Sequence, residues 1–208
     1  EFLSTLGRLH SASEAREAYY LAREAHFSNI SLDLIYGLPG QDLGQWEGDL
    51  LQAIDLSPEH LSLYALTLAE DTPLAVRIAE GELPPLEGDL AADMYVLAEG
   101  VLAHAGFRHY ELSNWARDGG DEGDPAKFPG FASQHNLTYW ENRPYLGFGS
   151  GAHSYYAGRR CSNPPDPDVY ALRMFYGGSP LAEWEDIAPP LERAETIILG
   201  LRLLRGIR

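Results

Sequence analysis

A few residues of this chain have types and spacings that suit chemistry. Asp33 lies in the middle of N-I-S-L-D-L-I-Y-G-L-P-G-Q (29–41), whose first eight residues are β-prone and mostly apolar. Such a run is expected to form a strand buried on both faces, ended by the Gly and Pro that follow. A buried carboxylate is costly unless something pairs with it. Asp33 therefore calls for a partner, either a neighbouring Lys, Arg or backbone amide, or a ligand. Arg8 is the candidate counter-charge, or a co-ligand for an anionic group; taken alone it is an ordinary surface arginine. In H-N-L-T-Y-W (135–140) a helical turn would place His135 and Tyr139 on one face. An imidazole beside an aromatic wall suits ligation of haem iron with stacking on the macrocycle. It equally suits a histidine that caps or packs.

The remaining candidates are weaker. Gly147-x-Gly149-x-Gly151 before Ala152-His153-Ser154 could bring backbone close to a ligand. It is not the G-x-G-x-x-G dinucleotide fingerprint, because its third Gly falls one residue early. His153 and Ser154 lie near Cys161 in sequence, but no Asp or Glu spacing makes a triad of them. His60, His104 and His109 sit at or beside expected strands as structural or exposed residues. Glu111, inside one such strand, is a costly carboxylate like Asp33.

Composition narrows the setting. The 208 residues carry a net charge of −16, from 31 acidic and 15 basic side chains. That balance argues against nucleic acid as a partner, which needs clustered Lys and Arg, and against docking on anionic lipid. No apolar run reaches the ~18 residues of a membrane span, and no signal-peptide pattern opens the chain. The single cysteine, Cys161, excludes an internal disulfide framework and any all-cysteine metal site within this sequence. The expectation is a cytoplasmic globular protein.

The elements that must position these residues follow from capping and periodicity. Ser11-x-x-Glu14 and Asp42-x-x-Gln45 are capping boxes, opening helices over 13–26 and from 43 onward. The second carries Leu43, Trp46, Leu50, Leu51 and Ile54 at helical spacing and ends at Ser57-Pro58. It joins the strand 29–36 to a strand at 60–67, which is a βαβ unit and a parallel sheet. Helices are expected at 72–82, 88–105, 166–176 and 191–204, a third strand at 107–113, and a strand entering a Gly-rich turn at 145–156. Gly119–Gly130 reads as an acidic, flexible loop. The fold class is α/β, a (β/α) barrel or part of one.

Several segments occurring in order resemble one family: L-G-R-L-H (6–10), the 29–41 stretch, P-E-H-L-S-L-Y (58–64), H-Y-E-L-S-N-W-A (109–116), H-N-L-T-Y-W (135–140) and Y-L-G-F-G-S-G-A-H-S (145–154). Together they resemble the radical S-adenosylmethionine (SAM) proteins of the oxygen-independent coproporphyrinogen III oxidase group, and within it the haem-chaperone branch. The resemblance covers nearly the whole chain. It implies the later part of a partial, TIM-like (β/α) barrel over 1–115, followed by a family-specific α/β region over 116–208. Arg8 corresponds to the arginine set against the SAM carboxylate, a planar anion that a guanidinium fork fits. Asp33 corresponds to the carboxylate on the SAM ribose hydroxyls. Ile35 and Thr67, taken as equivalent strand positions, would line the adenosine pocket. The resemblance links the H-N-x-x-Y-W motif to haem, with His135 the candidate iron ligand and Asn136, Tyr139 and Trp140 beside it.

Two departures stand out. The family's C-x-x-x-C-x-x-C, which holds a [4Fe–4S] cluster, is absent, as is the Gly-rich strand that meets the SAM amine. The expectation is a chain starting mid-barrel, with the cluster half lost or outside the sequence. The branch's cysteine two residues before the H-N motif is replaced by Ser133. The implied cofactors are SAM, a [4Fe–4S] cluster and haem, and the implied partners are haem or porphyrin, a haem-acceptor protein and, among assemblies, a homodimer. The implied function is haem binding and delivery. The other family activity is oxidative decarboxylation of coproporphyrinogen, which would make the protein an enzyme.

Overall fold

The computed structural model describes residues 2–119 and 127–207 and divides into two compact units, Glu1–Ala132 and Ser133–Arg208. Most of the expected acidic loop, residues 120–126, lies outside the described residues.

The first unit contains helices α1 (Phe2–Thr5), α2 (Ala12–Glu24), α3 (Leu43–Asp55), α4 (Pro73–Ala79) and α5 (Gly88–His104). Its strands are β1 (Ser31–Tyr36), β2 (His60–Ala65), β3 (Arg108–Glu111) and β4 (Asn114–Ala116). Both capping boxes form: Ser11 and Asp42 accept backbone N–H groups at their helix starts, while Glu14 and Gln45 reach back to the caps. β1 and β2 pair in parallel across α3, as a βαβ unit should. The expected third strand at 107–113 is instead a hairpin. The chain turns at Leu112-Ser113, β3 and β4 run antiparallel, and β4 pairs antiparallel with β2, giving the order β1-β2-β4-β3. The sheet is therefore mixed, with an antiparallel edge on a parallel pair.

One face of this sheet packs against helices. In register, Leu32 lies beside Leu61, which faces Trp115 on its other side, and Leu34 lies beside Leu63. These side chains meet Trp46 and Leu50 of α3 and Met94, Ala98 and Leu102 of α5. Trp46 Nε1 donates to the Met94 carbonyl at 2.9 Å, tying the two helices together. The alternate positions of β1, Ser31 and Asp33, are exposed. The strand is thus covered on one side only, contrary to the two-sided burial its composition suggested, because side chains alternate and the helices pack one face.

The second unit holds α6 (Gln134–Trp140), β5 (His153–Tyr156), β6 (Arg159–Ser162), α7 (Pro167–Phe175), β7 (Glu183–Asp186) and α8 (Pro189–Gly200). β5, β6 and β7 form an antiparallel sheet in that order. The strand expected from Tyr145 is confined to β5; Tyr145 itself joins by one isolated bridge to Tyr155. α8 stops at Gly200 rather than running to Leu204. A Cβ there would press on Ile207, at 2.9 Å from its Cγ1.

Candidate functional site

The other face of the first unit's sheet carries polar groups, exposed at Ser31 and Asp33 of β1 and buried at His60, Ser62, Asn114 and Glu111. Ser31, Asp33 and Ile35 of β1 register with His60, Ser62 and Tyr64 of β2. Asn114 of β4 sits opposite Ser62. Asp33 is exposed and makes no hydrogen bond or ion pair among the described residues, with Arg8 or any other group. Its expected burial is thus corrected: among the described residues its position on β1 is left open to solvent. Glu111 is the buried carboxylate instead. It is fully enclosed and accepts a hydrogen bond from Asn114 Nδ2 across the β3–β4 turn. Ile35 is half-buried, but Thr67 is exposed and lies beyond the end of β2. The residue in register with Ile35 is Tyr64, so Ile35 and Thr67 are not equivalent strand positions. Arg8 is exposed, just after Gly7 at φ +69°, and its guanidinium has no partner among the described residues.

A relay that sequence reasoning did not pick out lies beside Asp33. His60 is buried, with Nδ1 2.7 Å from Ser31 Oγ and Nε2 2.8 Å from the Tyr110 hydroxyl. Burial drives the His60 pKa down to about 4, against a smaller upward pull from the Asp33 charge. Only one ring nitrogen carries hydrogen, so the neutral imidazole donates to one oxygen and accepts from the other. The Ser31 spacing to Asp33 was the available signal, but long-range pairing to His60 and Tyr110 leaves no local trace.

In the second unit α6 forms as expected around H-N-L-T-Y-W. Ser133 is its N-cap and accepts from the Asn136 backbone N–H at 3.3 Å, a role a hydroxyl fills well. The helix ends in a Schellman turn, with Asn142 at φ +49° donating to the Tyr139 carbonyl and Arg143 to that of Thr138. Leu137 is buried and Asn136 half-buried. Trp140 lies under Arg202, whose guanidinium carbon is 4.1 Å from the ring centroid. The structure therefore separates the four motif residues. His135 and Tyr139 share a face, their rings edge-to-face at 5.0 Å, whereas Trp140 anchors the helix elsewhere. His135 is exposed, and its ring nitrogens carry no hydrogen bond among the described residues, so either is free to ligate.

The Gly-rich segment is a packing device. A Cβ at Gly147 would collide with the His153 carbonyl, and Gly149 (φ +97°) and Gly151 (φ +68°) hold conformations that favour glycine. Its polar groups are taken by Ser154, Asn163 and Tyr170. An apolar groove of about 720 Å³ between α3 and α5 is lined by residues such as Leu51, Val96 and Val101. It holds neither Asp33 nor His135, and its one titratable side chain, His104, is hydrogen-bonded to the Gly100 carbonyl.

No protein-family model matches the chain. The fold matches the solved structure of the Escherichia coli coproporphyrinogen III oxidase HemN, a radical SAM enzyme, with a TM-score of 0.70 over 96% of this chain and 45% of that one, at 18% identity. The fold is thus the α/β radical SAM type. The particular relatives are the haem chaperones HemW of Mycobacterium tuberculosis, 35% identical over 99% of this chain and 50% of theirs, and of Bacillus subtilis, 34% identical over 100% and 52%. The mitochondrial radical S-adenosyl methionine domain-containing protein 1 of Bos taurus is 40% identical over 99% of the chain and 46% of its own length. The chain belongs to the HemW family, and it spans about half the length of the curated relatives it matches. Among the described residues no helix is long and apolar enough to cross a membrane.

The His60 relay predicts a pH dependence. Unfolded, His60 takes a proton near pH 6.5; folded, only near pH 4, so the unfolded chain holds the extra proton between these values. Its contribution to stability is complete above pH 6.5, is lost by up to about 3 kcal/mol as pH falls to 4, and is constant below. Urea denaturation at a series of pH values should show this fall, and His60→Gln should flatten it. Identical pH profiles for the two proteins would refute the assignment.

Proposed function

We propose that this chain is part of a haem chaperone, with haem as cargo taken up on α6 through His135 and passed to an acceptor protein. One observation carries the reading: an exposed imidazole with no hydrogen-bond partner, held edge-on by Tyr139, on a helix whose opposite side is anchored. An axial ligand needs a deprotonated ring nitrogen aimed outward, and the flanking ring offers the macrocycle an aromatic contact. The relatives named as haem chaperones support this reading. In it Tyr139 packs against the haem, Asn136 borders it, and Trp140 fixes the helix. In this reading the haem part lies within residues 116–208, on the unit Ser133–Arg208, and the SAM part within residues 1–115.

On the SAM side, Asp33 and Arg8 fit a polar, charged ligand because both are exposed and unpaired among the described residues. Asp33 would accept from ribose hydroxyls, and Arg8 would pair with the amino-acid carboxylate. Ile35 would offer an apolar side to the adenosine. Bound SAM would bring a sulfonium that a reduced cluster can cleave. The residues present do not fit the [4Fe–4S] cluster itself. The sequence holds one cysteine, and among the described residues no three His, Cys, Asp or Glu side chains gather as metal ligands. No step through the cluster is assigned to these residues. The reading places the protein in the cytoplasm, where a lone thiol needs no disulfide partner. A homodimer is compatible with it.

Titration of the full chain with ferric haem should give a shifted Soret band that His135→Ala abolishes and Trp140→Phe leaves in place. A band indifferent to His135, or lost equally in both variants, would defeat the proposal. On the SAM side, Asp33→Asn should weaken SAM binding in equilibrium dialysis roughly tenfold or more, through loss of a charge-assisted hydrogen bond. Its unfolding midpoint should not move, because Asp33 is exposed. A lowered midpoint with unchanged SAM affinity would give Asp33 a structural role instead.

A further inference from the structure

Histidines that ligate metals are usually oriented by a hydrogen bond from the second ring nitrogen to a carboxylate, carbonyl or water. His135 has no such bond among the described residues. What restrains its ring is Tyr139, at 5.0 Å and 80°. Tyr139 in turn meets Tyr145 edge-to-face, with centroids 4.6 Å apart and planes at 64°. Tyr145 is not free to drift. Its backbone N–H donates to the Tyr155 carbonyl at 2.8 Å and its carbonyl accepts from the Tyr155 N–H at 2.9 Å. Tyr155 is buried in β5 and its hydroxyl donates to Glu192 of α8 at 2.7 Å. A ladder of rings therefore runs from the exposed imidazole to a strand and a helix.

Resting on the haem reading above, we propose that Tyr145 is the positioning residue of the His135 site, setting the imidazole plane through the ring of Tyr139. The sequence around α6 favours this route over an independent, mobile side chain. The Schellman turn at Asn142 reverses the chain so that Tyr145 returns against the helix face bearing Tyr139. The contribution comes from the ring and not the hydroxyl. Burial raises the Tyr145 pKa, so the phenol stays neutral and is not a phenolate competitor for iron.

The test uses the electron paramagnetic resonance spectrum of ferric haem bound to the full chain, whose g-value spread depends on the axial imidazole plane, together with haem affinity and thermal melts. Tyr145→Phe should keep the wild-type spectrum and affinity. Tyr145→Leu should change the g-value spread and weaken haem binding roughly tenfold, the scale seen when the support of a metal-ligating histidine is removed. Should Tyr145→Leu lose its cooperative melt, Tyr145→Met, which keeps bulk without a ring, decides in its place. Wild-type spectrum and affinity in the ring-less variant, with the signal lost in His135→Ala, would overturn the positioning role. A changed spectrum in Tyr145→Phe would also overturn it, by giving the role to the hydroxyl. If His135→Ala keeps the wild-type signal, the haem reading itself fails, and the positioning role with it.

Discussion

The packing of Leu32, Leu34, Leu61, Leu63 and Trp115 against α3 and α5 is the constraint on which the first unit depends. Each of these side chains is worth roughly 1.5–3 kcal/mol when fully buried. Because successive strand residues point to opposite faces, committing this set to the helices commits Ser31, Asp33, His60 and Ser62 to the other side. The polar face follows from the apolar one. On that face His60 and Glu111 are enclosed and hydrogen-bonded, whereas Asp33 stands exposed with no hydrogen bond or ion pair among the described residues.

The same logic shapes α6 on a smaller scale. A seven-residue helix is too short to hold itself together by its own hydrogen bonds. It is secured by the Ser133 cap, the Schellman turn at Asn142, buried Leu137, and the Arg202 guanidinium over Trp140. Those contacts occupy one side. His135 and Tyr139 are left on the other, with Tyr145 behind them. A helix so anchored can present an unpaired imidazole without unravelling, which an isolated peptide of this sequence could not do.

Much of this was readable from residue types. The capping boxes at Ser11 and Asp42, the βαβ unit, and the pairing of His135 with Tyr139 all follow from local spacing. The exposure of Asp33 was also encoded, since Ser31 and Asp33 alternate with Leu32, Leu34 and Tyr36. Reading that run as continuous apolar strand hid the alternation. Trp140 lies five positions after His135, about 140° round a helix, so its separate fate was legible too. The β3–β4 hairpin was not, because Leu112-Ser113 carries none of the Gly or Asn signals of a tight turn. Nor was the His60 relay, whose members are far apart in sequence and meet only through tertiary pairing, nor the tyrosine ladder, which depends on the chain reversal at Asn142 and the Tyr145–Tyr155 bridge. The charged β7, Glu183–Asp186, took its strand character from pairing with β6, not from its own composition.

In the proposed function α6 presents His135 as the point of haem capture. Paramagnetic broadening of amide resonances by bound ferric haem tests it without altering any residue, since the effect falls steeply with distance from iron. Broadening should be centred on His135 and Tyr139 and reach Tyr145, with the β5–β7 face around Cys161 and Trp184 spared. Broadening centred on Cys161 and Trp184, with α6 unchanged, would contradict it.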